Sequence, residues 1–192
     1  MTLKRIYLLL VVLLLSFSLL GCTEQRTLIL PLNSNYDTTT NVKLNTTIVS
    51  NTTTETEVYS GLITSNEIKA GQILKVISYG VVSTSSASDS LTIRFKINNV
   101  TKQTFIMTPK LVTNEDFHLV GTATQRILGV TGSRASHQDI CIGDECNSQT
   151  SVGVFDTTMD HTLSITAQWN NAKTGNTFSL YQAFMELKNG EN

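Results

Sequence analysis

The chain has 192 residues; 14 Lys and Arg balance 15 Asp and Glu, and only 15% of residues are charged. A formal net charge of −1 lacks the basic excess that nucleic-acid binding requires, and the length fits one domain, or one domain with a tether. Thr, Ser and Asn supply 62 residues, Thr being suited to pleated strands and Ser and Asn to turns. That composition, with 40% hydrophobic residues, points to an all-β extracytoplasmic protein rather than a cytosolic enzyme.

Residues 1–21 read as an export signal. Lys4 and Arg5 make a short positive start, and an apolar stretch follows over 6–20, interrupted only by Ser16 and Ser18. As a helix this stretch would reach roughly 22 Å, short of the ~30 Å apolar core of a bilayer. A cleaved signal peptide is therefore favoured over a membrane-spanning helix. The stretch ends in Leu19-Leu20-Gly21-Cys22, which resembles the lipobox of prokaryotic lipoproteins. The resemblance implies cleavage before Cys22 and a diacylglyceryl group on its thiol. Two acyl chains on one residue suffice for stable anchoring, so the membrane is the expected partner through the lipid on Cys22. The expected localisation is the cell envelope, facing the extracytoplasmic side, or a virion surface.

Residues 22–56 read as a tether. Over 33–56 the larger apolar residues are only Tyr36, Val42, Leu44, Ile48 and Val49, too few to offset the entropy of ordering. Short strands remain open at 27–30 and 43–49. From residue 57 to 192 the period is two. Leu91, Ile93, Phe95 and Ile97 alternate with Thr92, Arg94 and Lys96, and Leu163, Ile165, Ala167 and Trp169 alternate with Ser164, Thr166 and Gln168. Each pattern predicts a strand with one buried and one wet face. Further strands are expected over 58–63, 73–82, 104–108, 117–121, 124–130, 153–156 and 177–188. The last changes phase near Gln182, which predicts a bulge. Short strands without intervening helices predict an antiparallel β-sandwich or jelly roll.

Three segments carry a resemblance over about 58–187. They are Ile68-Lys69-Ala70-Gly71-Gln72-Ile73-Leu74, the strand at 88–97, and His161-Thr162-Leu163-Ser164-Ile165-Thr166-Ala167-Gln168-Trp169 followed by Asn176-Thr177-Phe178-Ser179-Leu180. In this order they resemble the jelly-roll modules of phage head fibres, tail fibres and minor capsid proteins, the third segment being similar to a closing hairpin. The resemblance implies a jelly-roll-like sandwich, a structural or attachment role without catalysis, and a homotrimer. The alternative is a host surface lipoprotein that binds carbohydrate or another envelope component.

No paired carboxylates, phosphate-cradling glycine loop, nucleophile elbow or metal-binding helix appears, so no catalytic residue, cofactor or metal is expected. In an oxidising compartment, with Cys22 committed to lipid, Cys141 and Cys146 read as a structural disulfide around Gly143. Zinc would need His137 or Asp144 as a third ligand and then a fourth. Residues 129–151 read as the longest loop. Within it Ser133, Arg134, His137 and Gln138 are the expected donors to a glycan or surface-protein ligand. His118 is expected to face solvent or a neighbouring subunit, His161 to pair locally at a strand entrance, and Trp169 to plug one end of the sandwich.

Overall fold

The computed structural model describes residues 40–43 and 46–189; the expected signal peptide, Cys22 and most of the expected tether lie outside the described residues. Eleven strands follow in chain order: β1 (Thr40–Lys43), β2 (Thr47–Ser50), β3 (Thr56–Ile63), β4 (Ile73–Ser83), β5 (Leu91–Ile97), β6 (Val100–Met107), β7 (Glu115–Ile127), β8 (Ser133–Ile142), β9 (Glu145–Val154), β10 (His161–Trp169) and β11 (Thr177–Lys188). No helix occurs among the described residues.

Two antiparallel sheets form a sandwich. The larger runs β1-β11-β4-β7-β8-β9, with β2 also paired to β11; the smaller runs β3-β10-β5-β6. The chain passes from one sheet to the other between β2 and β3, β3 and β4, β4 and β5, β6 and β7, β9 and β10, and β10 and β11. The opposed orders β2-β11-β4-β7 and β3-β10-β5-β6 are those of a jelly roll. The β8–β9 hairpin extends the larger sheet beyond that framework.

The period-two segments form the core. β5 alternates buried and half-buried residues throughout its length, as its sequence predicts. Phe95 meets Phe105 edge-on at 6.2 Å, and Phe117 meets Phe178 across the larger sheet at 4.8 Å. Trp169 is fully buried, and its indole N–H donates to the Val49 carbonyl at 3.3 Å. The contact fastens β10 to β2, upstream of residue 57.

Five expectations change. The segments at 161–169 and 176–180 are no hairpin: β10 pairs with β3 and β5, and β11 with β4. The inward residues are as expected, with Leu163, Ile165, Ala167, Trp169, Phe178 and Leu180 all buried. They approach one another across the sandwich rather than along a ladder. The arch between them is held by Asp89, whose carboxylate accepts from Asn171 (2.8 Å), Lys173 (2.9 Å) and Asn176 (2.9 Å). The outer face of β10 is not wet either. Ser164 and Thr166 are buried; the Thr166 hydroxyl donates to Glu55 at 2.6 Å and the Gln168 amide to the Thr53 carbonyl at 2.8 Å. That covering segment lies ahead of β3.

The segments 117–121 and 124–127 belong to one strand, β7, with a register shift between Gln125 and Ile127, and 128–130 lies beyond its end. Residues 129–151 are not a long loop but mostly the β8–β9 hairpin, and 153–156 overlaps the end of β9 rather than forming a separate strand. Polar residues hide its period: Arg134, Ser136 and Gln138 take inward positions on β8, and no residue of β9 is fully buried. The bulge expected near Gln182 is present, between Leu180 and Gln182. Gly80 lies beside it, where a Cβ would sit 2.2 Å from the Ser179 carbonyl oxygen, so only glycine fits.

Candidate functional site

The outer face of the larger sheet carries the exposed chemistry. Register sets one row across it: Gln182 opposite Tyr79, Tyr79 opposite His118, His118 opposite Cys141, and Cys141 opposite Cys146. Alternation along β4 and β7 turns Tyr79 and His118 outward, since Ser78, Gly80, Phe117 and Leu119 are buried. Their rings lie 5.1 Å apart and 9° from parallel. With Tyr79 43% exposed, the two rings stack face to face into one exposed aromatic platform. Tyr181, 48% exposed, lies at the β11 bulge near its rim.

Polar residues flank the platform on β8 and β9. The next rows place Val120, Asp139 and Ser148 opposite one another, then Thr122, His137 and Thr150. His137 contacts the Thr150 hydroxyl through Nδ1 at 2.9 Å and the Asp139 carboxylate through Nε2 at 3.1 Å. The Ser148 hydroxyl donates to the other Asp139 oxygen. A hydroxyl, an imidazole and a carboxylate in series are the parts of a nucleophilic relay. Here the His137 and Asp139 side chains are 49% and 44% exposed on a flat strand surface. Nothing there desolvates the hydroxyl or aims donors at a developing oxyanion. The four side chains bond to one another along the outer face of β8 and β9.

The four residues expected to act together are divided by the strand that carries them. Ser133 and His137 take outward positions on β8, whereas Arg134 and Gln138 turn inward. Arg134 and Gln138 line a cavity of about 30 Å³ between the sheets, with Phe95, Gln103, Gln125 and Phe155. The Arg134 guanidinium lies 5.8 Å from the centre of the Phe155 ring, and burial pushes its pKa down. Among the described residues, Arg134 Nε and Gln138 Oε1 have no hydrogen-bond partner. The space suffices for about one water molecule and for no sugar.

Cys141 and Cys146 are bonded to each other, which removes them as zinc ligands. Among the described residues no group of three or more His, Cys, Asp and Glu could hold a metal ion. His118 is exposed on the platform. His161 is buried at the head of β10, where Nδ1 meets the Asn98 amide at 3.1 Å and Nε2 the Asp156 carbonyl. Its ring lies 4.3 Å from that of Phe155. The adjacent Asp160 instead accepts from the Ser65 amide at 2.7 Å. Sequence reading missed the platform, because Tyr79 and His118 meet only through the pairing of β4 with β7.

No protein-family model matches the chain. No curated protein matches it either. Similar solved structures include lectin I from Ulex europaeus in complex with the methyl glycoside of α-L-fucose, at 7% identity and a TM-score of 0.39, covering 79% of this chain and 98% of that one. Lectin UEA-II complexed with galactose gives 11% and 0.38, covering 83% and 95%. The CBM2 module of the evolved Dit of Lactobacillus casei BL23 phage J-1 gives 12% and 0.34, covering 69% and 70%. Similarity at this level does not extend to a ligand or a binding residue.

Proposed function

We propose that this chain is an exported, lipid-anchored surface protein whose jelly-roll module, of the virion attachment type, binds glycan without catalysis. The observation that carries the reading is the Tyr79–His118 platform, two stacked, exposed rings on the same sheet face as a line of hydrogen-bonding side chains. The C–H face of a pyranose is weakly positive and packs on the negative face of an aromatic ring. Its hydroxyls need donors and acceptors nearby, where Gln182 in the same row and Asp139 in the next row are placed. The anchor rests on Leu19-Leu20-Gly21-Cys22, and the module type on the three segments that resemble phage fibre and capsid jelly rolls.

A glycan array tests the ligand class. The protein should select a restricted set of glycans, and Tyr79→Ala should weaken binding about three- to tenfold, the loss of one ring contact worth about 0.5–1.5 kcal/mol. Its β-sheet circular dichroism should be unchanged. Absence of binding to any glycan, or equal binding by the variant, overturns the reading. Separately, Cys22→Ser should abolish incorporation of labelled fatty acid and release the protein from membranes; a wild-type protein that takes up no label has no such anchor.

A further inference from the structure

Among the described residues, β9 is an outer strand of the larger sheet, paired with β8 on one side only. The turn joining the pair is Gly143-Asp144, with Gly143 at φ 54° and Ile142 opposite Glu145. In a two-residue hairpin the closing pair exchanges both backbone hydrogen bonds, and such pairs then alternate along the ladder. Glu145, Asn147, Gln149, Ser151 and Gly153 therefore direct their N–H and C=O groups at β8. Those of Cys146, Ser148, Thr150, Val152 and Val154 point away from it. The parity is supported independently by the disulfide: Cys141 and Cys146 fall at a position without backbone hydrogen bonds, where the strands approach most closely, and their Cα atoms are 4.1 Å apart.

Exposed sheet edges are ordinarily blunted by short length, Lys, Pro, bulges or a covering segment. The other outer strands carry such features. β1 and β2 have four residues each, β3 shifts register against β10, and β6 carries Lys102 and a register shift against β5. β9 has none of them. It runs for ten residues in unbroken register and contains no Pro, Lys or Arg. Its one charge, Glu145, stands at its first position. Val152 and Val154 are 69% and 70% exposed.

We propose that β9 pairs antiparallel with β9 of a second copy of this chain, about a two-fold axis at Thr150. That register places Thr150 opposite Thr150, Ser148 opposite Val152, and Cys146 opposite Val154. Every outward N–H and C=O from Cys146 to Val154 then meets its counterpart, giving about ten backbone hydrogen bonds. Each Val154 is set against the other copy's Cys141–Cys146 disulfide, and Glu145 falls beyond the paired stretch. A self-complementary strand needs only a two-fold axis to close, which gives a pair in place of the three-fold assembly implied by the fibre resemblance.

Sedimentation velocity on the full chain in mild detergent should give twice the protomer mass. Thr150→Lys puts two like charges face to face on the axis and should give a monomer. Unchanged β-sheet circular dichroism would show that the monomer is folded. Amide exchange supplies the second measurement: the outward N–H groups of Ser148 and Val152 should exchange on the order of tenfold faster in the variant than in the wild type. A monomeric or trimeric wild type, a variant that remains dimeric, or equal exchange at those two amides overturns the proposal.

Discussion

Replacing Trp169 by Ala removes the largest fully buried side chain of the sandwich. Large-to-small changes of this kind cost about 3–5 kcal/mol when the cavity cannot collapse. Collapse is restricted here, because β10 is held between β3 and β5 and faces β11 across the core. The change also leaves the Val49 carbonyl without its indole donor, about 1 kcal/mol more. Domain stabilities run to about 5–15 kcal/mol, so Trp169→Ala should be marginally folded at best. With a urea slope of about 2 kcal/mol per molar, its midpoint should fall by on the order of 2 M. Trp169→Phe keeps most of the apolar area and loses the hydrogen bond, so it should fall between the two. Urea melts followed by far-ultraviolet circular dichroism measure all three. A shift below about 0.5 M for Trp169→Ala, or equal shifts for the two variants, would refute the packing and the bond to β2.

Thr166→Ala should cost about 1–2 kcal/mol, against about 0.5 kcal/mol for an exposed strand position, because it empties the buried contact to Glu55; the same urea melts decide. The Lys173 ammonium, followed by the amides of Asn176 and Asn171, holds the Asp89 carboxyl below the usual carboxylate range. A depressed folded pKa contributes stability that is complete above the unfolded value, about 3.9, and is lost as pH falls through the folded value. Asp89→Asn should therefore lower the melting temperature at pH 7 and flatten its decline below about pH 4; parallel melting curves for the two proteins would exclude this role. Replacing Cys141 and Cys146 together by Ser should cost about 2 kcal/mol, the entropy of a six-residue loop, with the β-sheet spectrum preserved. A loss of that spectrum would make the bridge a condition of folding rather than a local fastening.

Strands were legible wherever one face is apolar and buried. β5 could be read residue by residue because Leu91, Ile93, Phe95 and Ile97 all face the core. β9 could not, since Ser, Thr and Gln on an outer strand leave no hydrophobic period. β8 had the same defect: its inward Arg134, Ser136 and Gln138 read as loop residues. The inward side of β10 was legible, yet its hairpin with β11 was wrong, because local alternation does not say which sheet a strand joins. The turn-rich segment between them suited a hairpin and an arch equally, and the Asp89 clamp that selects the arch comes from a distant loop. The platform is likewise a product of register. His118 reads as an ordinary outward residue and Tyr79 only as one position of the strand expected over 73–82, and only the pairing of β4 with β7 stacks them.

The last strand in chain order, β11, sits inside the larger sheet, with β4 on one side and β1 and β2 on the other. Until Thr177–Lys188 emerges from the ribosome, that sheet is split, and the whole length of β4 presents bare backbone where β11 will lie. Phe178 and Leu180 are also missing from the core. Closure must therefore wait for that segment, and it depends on contacts between segments remote in sequence, which fold slowly. A chain terminated before residue 177 would not be a smaller sandwich but an open, sticky one, the kind of species that chaperones and proteases remove.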